Sequence, residues 1–206
     1  NLTLGSININ SGGAYNATAG TTTLTSENAD GRALNNLGTI NHNSGLFNIT
    51  ATSNASINVG ANSPFILEIA TGTGNITLLN DTNLAGGLNV TSGVLDTNMS
   101  GYNLTANNVL LVGTLHARNS SNITFGSLAI NSGGLYNSTS NITNITNGNW
   151  TNSGSFTHNA GRIILGGGTN ENQTITGDNE TTFFNLNITN GAIAVTQEQN
   201  ATVEGV

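Results

Sequence analysis

The chain has no cysteine and no lysine, and only 6% of its 206 residues are charged. Without cysteine there is no disulfide, no thiolate nucleophile and no Cys-ligated zinc. That absence fixes no compartment, because a regular β-architecture is stable outside the cell without cross-links. The cations are Arg32, Arg118 and Arg162 against ten Asp and Glu, for a formal net charge of -7. Phosphate binding needs clustered Lys and Arg, so nucleic acid and anionic membrane surfaces are poor partners and no cofactor is expected. No apolar run approaches the roughly 20 residues of a membrane span, and no basic segment precedes an apolar one as in a signal peptide. No membrane insertion is therefore expected in this segment.

What fills the sequence instead is 38 Asn, 31 Thr, 17 Ser and 27 Gly, together more than half of the chain. Ordinary globular enzymes are not built from that mixture. Repetition is visible in it. Gly5-Ser6-Ile7-Asn8-Ile9-Asn10-Ser11-Gly12-Gly13-Ala14-Tyr15-Asn16 returns as Gly126-Ser127-Leu128-Ala129-Ile130-Asn131-Ser132-Gly133-Gly134-Leu135-Tyr136-Asn137. Leu37-Gly38-Thr39-Ile40-Asn41-His42-Asn43-Ser44-Gly45 is answered by Ser153-Gly154-Ser155-Phe156-Thr157-His158-Asn159-Ala160-Gly161. About 4–46 thus resembles about 125–162, an internal duplication. Residues 1–206 are expected to form a single continuous segment. The chain begins inside a strand-like pattern at Asn1-Leu2-Thr3-Leu4 and ends near another at Val203, so a piece of something longer is expected.

A shorter theme recurs within each unit: an alternating strand of four to six residues, a polar corner with Gly, then another strand, as in Leu88-Asn89-Val90-Thr91-Ser92-Gly93-Val94-Leu95. Alternation of apolar and polar residues marks a half-buried strand, and helical spacing is nowhere sustained. Strands this short cannot close a core singly, but stacking them coil upon coil buries their apolar residues in one column. The expected fold is all-β, a parallel β-solenoid of about ten coils at roughly 20 residues each. A β-sandwich also has short alternating strands, but seldom repeats one strand-corner-strand phrase along a chain.

Leu128 to Tyr136, Gly101-Tyr102-Asn103-Leu104-Thr105, and Asn172-Gln173-Thr174-Ile175-Thr176-Gly177 leading to Phe183-Phe184-Asn185-Leu186 resemble the degenerate repeats of large right-handed β-helix surface proteins. These include bacterial adhesin and autotransporter-type passengers and related archaeal cell-surface proteins. The resemblance covers nearly the whole chain and implies a right-handed β-helix, an extracellular location at the cell surface, and a role as adhesive stalk, filament or coat.

The most informative motif is Asn-x-Ser/Thr, the acceptor for N-linked glycan. It occurs nineteen times, at Asn1, Asn16, Asn48, Asn54, Asn75, Asn80, Asn89, Asn98, Asn103, Asn119, Asn122, Asn137, Asn141, Asn144, Asn149, Asn172, Asn179, Asn187 and Asn200. With 48 of 206 residues Ser or Thr, chance would follow about nine of the 38 Asn in this way. The reversed pattern, Ser/Thr-x-Asn, occurs ten times. A period-2 strand favours both patterns equally, so the excess has a direction, and an oligosaccharyltransferase reads direction. The middle residue is apolar in fourteen of the nineteen. In an extended strand that residue points inward while Asn and Ser or Thr point outward. N-linked glycans are therefore expected partners, with crowding between Asn141 and Asn144 and between Asn119 and Asn122. The alternative is that Asn and Thr serve only as ladder and corner residues. With a sugar coat, neutral amides, hydroxyls and glycans would keep the surface soluble in place of charge, and with few titrating groups the stability is expected to vary little with pH.

An enzyme finds little support. A glycosidase needs two carboxylates facing each other about 5 to 9 Å apart, and only Asp178 and Glu180 share a strand face, in a polar stretch beside Asn179. His42 and His158 occupy matched places in the duplication and read as corner residues. His116 stands alone. Asn80-Asp81-Thr82-Asn83 and Asn28-Ala29-Asp30 are single-acid corners, too poor in carboxylates for a calcium loop. Tyr15 and Tyr136 are expected to cap the ends of core stacks, and Trp150 to pack in the core. No catalytic, cofactor-binding or metal-binding residue is assigned. The expected function is a non-enzymatic, N-glycosylated solenoid of a filament subunit or adhesin stalk. Self-association end to end, or continuation into further solenoid, is expected of its open terminal coils. A carbohydrate-binding or polysaccharide-degrading β-helix protein and a phage or viral fibre segment are the alternatives.

Overall fold

Alternating segments of three to five residues have too little apolar surface to fold alone, and each is matched to a like segment about 20 residues away. The computed structural model describes residues 1–60, 64–118, 122–166, 172–189 and 194–205, and places no helix among them. Every strand pairing is parallel. Facing antiparallel sheets, as in a sandwich, are absent from the described residues. The fold is a parallel β-solenoid.

One face carries ten successive segments: Leu2–Leu4, Thr21–Leu24, Leu46–Ile49, then 66–69, 87–90, 108–111 and 127–130 within longer strands, then Trp150–Asn152, Gln173–Thr176 and Val195–Gln197. Ten segments make about nine turns. At the ordinary strand spacing of about 4.8 Å the stack is roughly 43 Å long. A second face runs from Ile7–Ile9 through Arg32–Asn36, Ala55–Asn58 and on to Leu135–Asn137 and Ser155–Thr157. A third holds Ala14–Asn16 with Thr39–Asn41, and further along 82–84 through Ile142–Ile145, Arg162–Leu165 and Asn185–Ile188.

Register converts the alternation into columns. Phe47, Leu67, Leu88, Val109, Leu128, Trp150 and Ile175 lie one above the next, and so do Leu24, Ile49, Ile69, Val90, Leu111 and Ile130. All are buried. Shifting any segment by one residue would turn its inward side chains to solvent, so this core fixes the winding. Trp150 is fully buried, edge-on to Phe156 at 4.8 Å and to Phe183 at 5.1 Å between ring centroids, with Nε1 donating to Thr181 Oγ1 at 3.2 Å.

Tyr136 departs from expectation. It does not cap a stack but sits within one, between Leu115 and Phe156. It can do so because Thr143 Oγ1, 2.7 Å away, and Ser138 partner its hydroxyl inside the core. Burial pushes that phenol up to about 12, against the two hydroxyl hydrogen bonds.

The two copies of the duplicated phrase keep their corners but change faces. Ile7–Ile9 stands in the column that leads to Leu135–Asn137, whereas 128–130 stands in the column that leads back to Leu2–Leu4. The second copy is thus displaced by one face, which is tolerated because all three faces present the same inward alternation. The corners themselves coincide. Asn43 and Ser44 have φ of 47° and 58°, Asn159 and Ala160 48° and 58°. In both, the imidazole Nδ1 accepts an amide two residues on, His42 from Ser44 and His158 from Ala160, each at 3.0 Å. The rings stack on Phe65 and Phe184 at 5.3 and 5.6 Å. The corners close on Gly45 and Gly161, where a Cβ would strike the carbonyl oxygens of Thr18 and Thr139 in the preceding turn.

Replacing Trp150 by Ala should cost about 3–5 kcal/mol, as truncations of large buried aromatics do. Leu37, an exposed corner residue, should cost less than about 0.5 kcal/mol on the same change. Urea unfolding of the two variants measures both, and equal losses would contradict the column packing.

Candidate glycan-acceptor surface

Sequons on a strand can serve only if the wall turns them outward. Of the nineteen asparagines, Asn119 lies outside the described residues; the other eighteen are all exposed or half-buried. Exposed are Asn1, Asn16, Asn54, Asn122, Asn141, Asn149, Asn172, Asn179, Asn187 and Asn200; half-buried are Asn48, Asn75, Asn80, Asn89, Asn98, Asn103, Asn137 and Asn144. Among the described residues the buried asparagines are Asn35, Asn36 and Asn152, at 5%, 1% and 1% exposure, and none begins a sequon. Their amides are consumed internally: Asn36 Nδ2 donates to Val59 O at 2.9 Å, and Asn152 Nδ2 to Thr181 Oγ1 at 3.1 Å. The middle residues provide the anchor. Ala17, Ile49, Ala55, Ile76, Val90, Leu104, Ile123, Ile145 and Trp150 are buried, whereas Leu2, Met99 and Ile188 are exposed.

The amide oxygens do structural work that sequence reading did not locate. The Oδ1 atoms of Asn1, Asn54, Asn103, Asn149 and Asn172 accept backbone N–H groups of Thr21, Asn75, Asn122, Thr174 and Ala194, between 2.9 and 3.4 Å. Each oxygen thereby satisfies an amide one turn further on, which would otherwise lose a partner at a strand start. N-glycosylation replaces one hydrogen on Nδ2, so these bonds are compatible with a sugar on the same side chain. A signal was present in the sequence: Asn54 and Asn75 are 21 residues apart and Asn103 and Asn122 are 19 apart, one turn in each case. At Asn48 and Asn75 the Oδ1 is buried without a hydrogen-bond partner.

The +2 hydroxyls have their own task. Thr50, Thr91, Thr146 and Thr189 donate to the backbone oxygens of Leu24, Ile69, Phe125 and Leu165 in the preceding turn, at 3.2 to 3.4 Å. Thr25 makes the same bond to Leu4 O at 3.1 Å with Thr23, not Asn, two residues before it. Part of the directional excess of Asn-x-Thr therefore has a structural cause at the ends of strands.

The remaining candidates separate. Asp178 and Glu180 are both exposed, Glu180 Oε1 accepting from Thr202 Oγ1 at 2.9 Å. Asp81 spends its carboxylate on the N–H and Nδ2 of Asn103, at 2.8 and 3.3 Å, and Asn28 Oδ1 holds the amides of Asp30 and Arg32 at 2.9 and 3.0 Å. Among the described residues no group of three or more His, Asp or Glu is gathered to hold a metal ion.

His116, which stands alone in the sequence, does not in the fold. It lies between Asp96 and Asn137 on the second face, with Asn137 Nδ2 2.9 Å from its Nδ1. Arg118 grips Asp96 through Nε, 3.0 Å from each carboxylate oxygen, and through a terminal nitrogen at 2.5 Å. Burial opposes ionisation of Asp96, but the Arg118 hydrogen bonds and charge and the Asn98 amide outweigh it and hold the carboxyl below its ordinary value of 3.8. Burial, then the Arg118 charge, lowers His116 below 6.5, against the pull of Asp96.

A group held low in the fold contributes stability above its unfolded pKa, which is lost as pH falls toward and through the folded value. Both residues therefore tilt stability the same way: it declines below about pH 6.5 as His116 resists a proton that the unfolded chain accepts, and again below about pH 4 through Asp96. Against the nearly flat profile expected from so few titrating groups, the urea midpoint should be lower at pH 5 than at pH 7.5, and His116→Asn should remove most of that difference. A variant retaining the full slope would place it elsewhere. Comparison of the chain with protein-family models, with curated proteins and with solved structures finds no match.

Proposed function

We propose that this chain is a non-enzymatic, N-glycosylated solenoid segment of an extracellular surface protein, serving as part of a filament or an adhesin stalk. The observation that carries the reading is the division of the asparagines: among the described residues every sequon asparagine reaches the surface, and every buried asparagine lies outside a sequon. A wall that needed Asn only for ladders would have no reason to keep the two sets apart. The mechanical role rests on backbone bonding that runs the length of the stack, each coil held by two neighbours. Strand edges at either end of such a stack offer unpaired backbone groups to a further coil or a second molecule. The resemblance to β-helix surface proteins supports location and role, and the scarcity of charge supports a surface solvated by amides, hydroxyls and sugar.

A second reading has one observation in its favour. The bonds from Thr50, Thr91, Thr146 and Thr189 to the preceding turn give those threonines a place in an unglycosylated ladder. Glycopeptide mapping of native material separates the two. More than a third of the nineteen asparagines should carry sugar, whereas bare peptides throughout would leave the ladder as the sole reason for the composition.

A further inference from the structure

We infer that folding sorts the acceptors into two classes: Asn48, Asn89, Asn144, Asn187, Asn141 and Asn179 take sugar only before their coils stack, whereas Asn16 remains an acceptor in the folded solenoid. The inference rests on the glycan-bearing reading above. The donor is a sugar joined through its anomeric carbon to a lipid phosphate. Asn Nδ2 attacks that carbon, the N–C bond forms as the C–O bond breaks, the lipid phosphate leaves with the electron pair, and Nδ2 gives up one proton to a base of the transferase. The sequon is defined by the amide and by the hydroxyl two residues on, so the transferase must hold both at once.

In the folded chain the hydroxyl of each of these six sequons is already engaged, as are those of Ser56, Thr82 and Thr202 in the sequons at Asn54, Asn80 and Asn200. Thr50, Thr146 and Thr189 donate to carbonyls of the preceding turn at 3.3, 3.2 and 3.4 Å, and Thr91 reaches both Ile69 O and Glu68 Oε1 at 3.2 Å. The strands carrying these sequons are laddered to the neighbouring turns, so no acceptor segment can be drawn out without breaking the stack. Asn141 and Asn179 show why exposure of the asparagine is a poor guide. Both are exposed, yet Thr143 is buried against Tyr136 Oη at 2.7 Å and Thr181 is buried between Trp150 Nε1 and Asn152 Nδ2, at 3.2 and 3.1 Å.

Asn16 differs at the two reacting groups, although its strand is likewise paired, with Thr39–Asn41. It ends the strand Ala14–Asn16 and enters a corner, and both it and Thr18 are exposed. Its Oδ1 accepts from Asn41 Nδ2 at 2.6 Å, which leaves Nδ2 to react, and Thr18 Oγ1 only accepts, from Gly20 N at 3.2 Å. Asn98, on another corner, is not its equal, because its Nδ2 donates to Leu78 O at 3.2 Å.

The test is cell-free synthesis of the whole chain with a purified oligosaccharyltransferase and a lipid-linked oligosaccharide, present during synthesis in one arm and added after folding in the other. Glycopeptide occupancy at Asn16 should be similar in both arms, while the six closed sites should fall at least about tenfold in the second, since access there requires opening of the stack. Equal occupancy of the six sites in both arms, or loss of Asn16 after folding, would overturn the inference and leave the glycan-bearing reading intact. Absence of sugar from every site in both arms would remove that reading and this one with it.

Discussion

Everything in this molecule depends on backbone hydrogen bonds made between turns instead of within them. Val109 pairs with Leu128 and Ile7 with Leu34, so a strand residue finds its register partner 19 to 27 residues along the chain. A coil alone has no partner for its amides and no core, and acquires both only when the next coil docks. Stability in such a stack is a sum of nearest-neighbour terms, and the apolar columns fix which neighbour fits. Side-chain amides extend the same logic to strand starts, where five sequon oxygens satisfy the next turn's N–H.

From that constraint the surface follows. Because most inward positions are apolar and alternate along the strands, the greater part of the polar side chains faces water, and this surface is almost free of charge. Arg118 and Asp96 form a partly buried ion pair, and the amides and hydroxyls around it carry the rest of the solvation. A wall built this way presents acceptor asparagines on a rigid support while using their oxygens to hold the turns together. In the proposed glycoprotein, sugar would attach through Nδ2 while the wall uses Oδ1 of the same side chain.

Much of the fold was legible because it is periodic. The alternation in Leu88-Asn89-Val90, the glycine corners and the repeated phrase sufficed for a parallel solenoid of about the right number of coils. What they could not reveal was anything set by which residues meet across turns. His116 and Tyr136 are the clearest cases: one gained Asp96 and Asn137 as neighbours, the other entered the core because Thr143 was there to meet its hydroxyl. The displacement of the duplicated copy by one face was hidden for the same reason, since all three faces read alike. At the acceptor surface the outward direction of the asparagines was readable from the apolar middle residues. The engagement of the +2 hydroxyls was not, because it depends on carbonyls a full turn away.

Cross-linking tests the central claim most directly, and the lack of native cysteine makes it clean. Thr105 and Thr124 are register partners on adjacent turns, and Asn144 lies one turn beyond Thr124. Parallel winding in this register predicts rapid disulfide formation between cysteines at 105 and 124, within the roughly 4.4–6.8 Å that such a bond spans, and none between cysteines at 105 and 144. Efficient bridging of 105 to 144, or failure of 105 to 124, would contradict the stacking on which the account stands.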